Sequence, residues 1–309
     1  MSDQLSRRRE TDLVQVFQSF ISDEFAGGMA ADDTAKTYHR EVRQYWQWCA
    51  TRGLDPLQAK RQHVVAYRRE LVGRYAPASV ALKLSAVRRF YAAAKIRGLV
   101  AGNPAADVRG PARRAGGVEY FSEAELDRIF RAIPRDTIAG KRDAAILGLM
   151  GLQGLRLVEI VRLNVEDLRD VGEAPHLYLL GKGGHPDLLP ILPALADRIR
   201  DYWLSSGREL APEDPMFASI RDSRYGRAGQ RLSRRRVQQV CERCFRLAGV
   251  RGRAHTLRHT AATLSLKNGA DLRQVQAMLR HADPKVTARY AHALNRVAEN
   301  PAQRIPVEC

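Results

Sequence analysis

The sequence predicts a mainly α protein, with a four-helix bundle in front and a larger, mostly helical domain behind it that carries one small antiparallel β-sheet. Three observations lead there. Apolar residues recur at helical spacing through the first third, Gly and Pro break the pattern near residue 100, and one later stretch alternates like a hairpin. A chain of 309 residues is also long for one core, which favours two domains.

In the first third, Asp12 to Phe25 carries Leu13, Phe17, Phe20 and Ile21 on one face. A second helix, capped by Asp33 or Thr34 and running to Trp48, has the stripe Tyr38, Val42, Tyr45 and Trp46. A third is expected around Gln62 to Val72. The fourth, Pro77 to Ile96, turns Leu84, Val87, Tyr91 and Ala94 inward, with Lys83, Arg88 and Lys95 pointing elsewhere. Four such helices with short connections bury their stripes against one another.

The pattern breaks at VAGNPAADVRGPARRAGG, where Gly and Pro punctuate every few residues and Arg109, Arg113 and Arg114 add positive charge. This reads as a linker, set at 109–118 between domains 1–108 and 119–309. A basic tether between two basic bodies suits a clamp around a polyanion, although a merely solvated loop would look the same.

The second domain opens on FSEAELDRIF, where Ser122 and Glu125 form a capping box. Helices are expected from Lys141 to Met150 and Val158 to Leu163. HLYLLGKGGHPDLLPIL then reads as two short strands joined by a turn at 181–184. Further helices occupy Pro193 to Ser206, Ser233 to Ala248, Leu257 to Asn268 and Leu272 to Arg280, followed by a segment carrying Tyr290.

Charge narrows the function. Lys and Arg number 51 against 34 Asp and Glu, a formal +17. Such a field attracts polyanions, with nucleic acid first and an anionic membrane surface as the rival. No apolar stretch reaches the roughly 20 residues a membrane-spanning helix needs, and none near the N-terminus resembles a signal peptide. The four cysteines are too few and scattered for a disulfide framework, so a reducing cytoplasm fits. Cys241 and Cys244 form a CxxC, but Val237, Val240, Cys241, Cys244 and Ala248 share helical spacing and no second ligand pair lies nearby. Both thiols read as core.

Breaking a DNA phosphodiester without hydrolysis needs a nucleophile, cations for the non-bridging oxygens and a proton for the departing 5′ oxygen. Arginine offers a planar fork that keeps its charge, and lysine can surrender a proton. The second domain supplies Arg156 in QGLRLVEIVRL, Lys182 in LLGKGG, His255, Arg258 and His259 in AHTLRHT, and His281 and Tyr290 in MLRHADPKVTARYAH. A free tyrosine titrates near 10, and clustered cations favour its phenolate.

These segments resemble the tyrosine recombinase, or phage integrase, family, most of all its Xer-type members. The stretch HTLRHTAATLSLKNGADLRQVQAMLRHADPKVTARYAH matches the family's H-x-x-R block, the following helix and the histidine-then-tyrosine block almost without a gap. Weaker similarity extends over the whole chain. The resemblance implies that the front bundle is a SAM-like core-binding domain that contacts DNA, and that the second domain is catalytic. Tyr290 would form a 3′-phosphotyrosine while Arg156 and Arg258 bind the non-bridging oxygens. Lys182 would protonate the leaving oxygen, His255 would assist proton transfer, His281 would hydrogen-bond the phosphate, and Glu159 would brace the site.

Candidate DNA contacts are Arg40, Arg43, Lys83, Arg88, Arg89, Arg113, Arg114, Arg234 and Arg235. No carboxylate cluster for two magnesium ions and no Walker loop is recognisable, so neither metal nor cofactor is expected. The implied partner is double-stranded DNA with a specific recombination site, held by a tetramer in the cytoplasm, at the nucleoid. Only about ten residues precede the first helix, so the arm-type domain of many phage integrases is not expected. A type IB topoisomerase-like enzyme and a non-catalytic DNA-binding regulator are the rival readings.

Two departures from the family pattern stand out. Arg280 occupies the place of the glycine that usually precedes the last histidine, and Gly184, His185 and Asp187 follow GKG where basic residues are common. Removing the Arg258 side chain is expected to cost transition-state stabilisation while leaving folding largely intact.

Overall fold

The computed structural model describes residues 29–112, 118–180, 186–222, 227–281, 287–288 and 290, with side chains from residue 34 onward. The expected helix from Asp12 to Phe25, the linker arginines Arg113 and Arg114, Lys182 with its turn, and the segment after Tyr290 lie outside the described residues. What is described divides into two compact units, 29–112 and 118–290.

The first unit is built from α1 (Met29–Ala50), α2 (Arg61–Arg74) and α3 (Pro77–Ile96). Helix α1 begins earlier than expected, so Asp33 and Thr34 lie inside it rather than capping it. The Met-Ala-Ala lead-in has high helix propensity and carries the helix back past them. Pro77 opens α3, where its missing N–H would have had no helical partner. Val42, Tyr45, Trp46 and Cys49 of α1 pack with Val64, Tyr67 and Leu71 of α2 and Val80, Leu84, Val87, Phe90 and Tyr91 of α3. Ala105 and Val108 join this core, and Asn103 donates to the Arg88 carbonyl at 3.0 Å. The Gly- and Pro-punctuated stretch is therefore packed up to residue 108. Inside the core the Tyr91 hydroxyl donates to the Pro56 carbonyl at 2.8 Å, so it accepts from Tyr45, also 2.8 Å away.

One expected DNA contact is corrected here. Lys83 is buried, its ammonium 2.5 Å from Glu41 and 4.5 Å from the Tyr75 ring centre, with a further bond to Gln44. Its place on α3 faces α1, where Glu41 is itself buried and also accepts from Arg40 at 2.6 Å. Burial tends to raise the Glu41 carboxyl, but the bonds from Lys83 and Arg40 hold it below its ordinary value. Lys83 thus serves the bundle interior. Arg40 and Arg43 stand exposed; Arg88 and Arg89 are half-buried, the latter 5.7 Å from the Tyr38 ring centre.

The second unit contains α4 (Glu123–Arg131), α5 (Ile138–Gly151), α6 (Leu157–Arg162), α7 (Pro193–Ser206), α8 (Arg234–Leu247), α9 (Ala254–Lys267) and α10 (Leu272–Leu279). The capping box at α4 forms, with the Ser122 N–H donating to Glu125 at 2.8 Å. Helix α5 is buried on every side over residues 144–151 and packs on α7 and α9, which makes it the axis of the core.

Strands β1 (Leu168–Val171), β2 (Ala174–Leu180) and β3 (Pro186–Pro190) form an antiparallel sheet in that order, with Leu177 opposite Leu189 and Leu179 opposite Asp187. Strand β1 was not anticipated. Its four residues, LRDV, show no buried alternation, and it exists because Gly172, at φ 61°, turns the chain back onto β2.

Cys241 and Cys244 lie in the core as the helical spacing requires, and burial pushes the Cys241 thiol up to about 12. No described helix is long and apolar enough to cross a membrane.

Replacing Lys83 by Met should leave Glu41 short of its buried partner and cost about 3 kcal/mol. Urea unfolding checks this, and an unchanged midpoint would contradict the buried role.

Candidate active site

Three stretches far apart in sequence meet at one guanidinium. Arg258 sits on α9, only 1% exposed. Its Nη1 donates to the Gly154 carbonyl and its Nη2 to the Leu279 carbonyl at 2.6 Å. Gly154 has φ +66°, and a Cβ there would lie 2.5 Å from Leu279 Cδ2, so both conformation and space call for glycine. Burial first, then the charge of Arg156, lower Arg258 to about 10, which still leaves it cationic at neutral pH.

Arg156 follows directly as the N-cap of α6. Its N–H donates to Glu159 Oε2 at 2.7 Å, and its Nη1 lies 2.9 Å from Oε1. Arg280 donates from Nη2 to the same Oε2 at 2.6 Å, and its Nε lies 3.6 Å from Asp187. Burial alone would raise the Glu159 carboxyl. The charge of Arg280, with the N–H and charge of Arg156, outweighs it and holds the carboxyl below its ordinary value.

Arg280 ends α10 at φ 53°, ψ 49°, and is the only non-glycine with positive φ among the described residues. An arginine pays on the order of 1–2 kcal/mol for that conformation. The turn forms nonetheless, and the side chain folds inward instead of standing in solvent.

Tyr290 is 3% exposed and packs with Ala262, Val275 and Leu279. Its hydroxyl lies 2.8 Å from His259 Nδ1. The His281 ring lies parallel to it, with centres 6.4 Å apart, and His281 Nδ1 meets the Thr287 hydroxyl at 2.8 Å. His255 is exposed in the first turn of α9, its ring centre 4.4 Å from that of His259. Of the residues singled out from sequence, Arg156, Glu159, Arg258, His281 and Tyr290 are thus joined through α9, α10 and the start of α6, with His255 at the edge. Lys182 lies outside the described residues.

With this geometry in view, two family models match the chain: Phage integrase, N-terminal SAM-like domain, over residues 24–98, and Phage integrase family over residues 119–296. The chain belongs to the phage integrase family. It is a tyrosine recombinase, 30% identical over 285 residues to tyrosine recombinase XerD of Shewanella oneidensis, covering 90% of this chain and 91% of that protein. Tyrosine recombinase XerC of Xylella fastidiosa is 33% identical over 290 residues, 91% and 92% of the two chains.

The fold is likewise that of solved recombinases. XerH site-specific recombinase in a post-cleavage complex on palindromic difH substrate superimposes at TM-score 0.72 with 17% identity, over 88% of this chain and 79% of that one. A lambda integrase tetramer bound to a Holliday junction gives 0.67 with 16% identity, over 91% and 76%.

Two participants were not assigned from sequence. His259 was visible as the second histidine of AHTLRHT, one helical turn after His255, but only the seat of Tyr290 decides which ring meets the phenol. Arg280 was visible as a departure; its partners Glu159 and Asp187, from two other elements, were not.

Gly154→Ala in the recombinase should cost about 2 kcal/mol through left-handed strain and the clash with Leu279, read as a lowered Tm. Glu159 titrates below its ordinary 4.5, so its contribution to stability is complete above that pH and is lost as pH falls through the lower folded value. Glu159→Gln should therefore flatten the acid limb of a stability–pH profile. An unaltered limb would show that the carboxylate carries none of it.

Proposed function

We propose that this recombinase cuts and rejoins double-stranded DNA at a specific site, with Tyr290 as nucleophile. The phenolic oxygen attacks phosphorus, the bond to the 5′ oxygen breaks, and a 3′-phosphotyrosine and a 5′ hydroxyl result. Attack by a 5′ hydroxyl in the reverse sense restores the phosphodiester and frees the tyrosine. The observation that carries this reading is the Tyr290 hydroxyl held 2.8 Å from an imidazole, on the helix whose Arg258 guanidinium ties Gly154 to Leu279.

Each role has its physical basis. His259 Nδ1, in its neutral tautomer, is within reach to accept the phenolic proton. Arg156 and Arg258 spread positive charge where the phosphoryl oxygens gather negative charge. Arg258 has five N–H donors, and the two backbone carbonyls it bonds leave others for phosphate. His281 donates to a non-bridging oxygen, His255 assists proton transfer, and Lys182 protonates the leaving 5′ oxygen. Glu159 keeps Arg156 in position. Because Arg258 also satisfies two carbonyls in a buried place, its removal should cost stability as well as rate, unlike the sequence-based expectation.

DNA contact is assigned to Arg40, Arg43, Arg88 and Arg89 of the first unit, to Arg113 and Arg114 of the linker, and to Arg234 and Arg235 at the start of α8. Arg235 lines a cleft of about 1150 Å³ together with Arg142, Arg221, Arg231, Arg236 and Arg243, a concentration of charge suited to a phosphate backbone. Strand exchange at a paired site calls for four protomers on DNA, in a cytoplasmic, nucleoid-associated assembly.

The test uses a randomised duplex library. Tyr290→Phe should enrich one site yet form no adduct that survives SDS, whereas wild type incubated with that duplex, nicked beside the scissile phosphate, should form one. Adducts from Tyr290→Phe would remove the tyrosine from the mechanism. Affinity for the enriched duplex should fall steeply as salt rises, and a flat response would contradict the basic contact surface.

A further inference from the structure

Two residues singled out from the sequence, Arg280 and Asp187, face each other. Arg280 adopts a backbone conformation that glycine suits. Asp187 stands on β3, shortly after Lys182 in sequence. Their side chains pair at 3.6 Å, and the same guanidinium bonds Glu159 at 2.6 Å. The Arg280 side chain is nine-tenths buried, and its Nη1 is buried without a hydrogen-bond partner.

An arginine in a strained backbone, with one donor unsatisfied, is a poor choice for stability alone. It does something glycine would leave undone: it joins the β-sheet, through Asp187, to the carboxylate that holds Arg156. We propose that Arg280 is a positioning residue for strand cleavage, fixing Glu159 and hence Arg156 on one side while neutralising Asp187 on the other. It acts through these neighbours and not on the phosphate. This rests on the proposed function for its DNA readout only.

Without Arg280, Glu159 loses one of two cationic partners and Asp187 becomes an uncompensated negative charge beside a site that must receive phosphate. Asp187 should therefore be harmful only when Arg280 is absent. A filler at the end of α10 would make no such link.

The experiment compares wild type, Arg280→Gly, Asp187→Asn and the double variant. Glycine relieves the backbone strain, so Arg280→Gly should fold with a Tm no lower than a few degrees below wild type. Its rate of adduct formation on the nicked, enriched duplex should nonetheless fall at least tenfold, and Asp187→Asn in that background should restore a substantial part while slowing wild type little. Arg280→Gly cleaving as fast as wild type, or losses that simply multiply in the double variant, would overturn the proposal.

A second measurement needs no DNA. With carboxyl-labelled glutamate followed by NMR and assigned through Glu159→Gln, the Glu159 titration should move upward in Arg280→Gly; an unmoved titration would equally overturn it. Failure of the proposed function looks different, because wild type itself would then form no adduct.

Discussion

A single buried guanidinium holds the second unit's distant parts in register. Arg258 is almost wholly excluded from solvent, yet its two terminal nitrogens close onto the carbonyls of Gly154 and Leu279, one before α6 and one at the end of α10. A buried cation is costly unless its donors are met, and those carbonyls meet two of them. The loop that presents Arg156 and the turn that presents Arg280 and His281 are both referred to the same side chain on α9. Glycine at 154 is a consequence: only a residue without Cβ lets that carbonyl approach while Leu279 packs behind it.

Electrostatics follows from this framework. Arg156, Arg258 and Arg280 crowd around Glu159, and Asp187 takes up part of the charge of Arg280. Mutual repulsion among three guanidiniums is an energetic cost in the free protein that a bound anion would relieve, which supports the proposed role of this cluster toward phosphate. Among the described residues of the cluster, Glu159 is the one deep carboxylate, and it pairs with two of the arginines without cancelling their charge. His259, not the exposed His255, lies against the phenol of Tyr290.

The helices of both units could be read from the sequence because each shows a stripe at helical spacing between clear start and stop signals. Pro77 to Ile96 and Pro193 to Ser206 have the expected bounds because proline fixes where each begins. Strand β1 escaped because four residues with two charges carry no period. Lys83 was misassigned to an outer face because periodicity tells which residues lie near an interface, while the presence of Glu41 across that interface depends on how two helices pair.

By itself the sequence determined most of the helices, the positive field and the ordered set of Arg, His and Tyr side chains, because each of these is set by residue type and short-range spacing. It also exposed Arg280 and Asp187 as departures. Tertiary structure alone decided that these two meet, that the phenol rests on His259, and that Arg258 is a buried brace between Gly154 and Leu279. Those facts join residues separated by tens of positions to more than a hundred, and such pairings are settled by packing around α5 and α9, which no local pattern encodes.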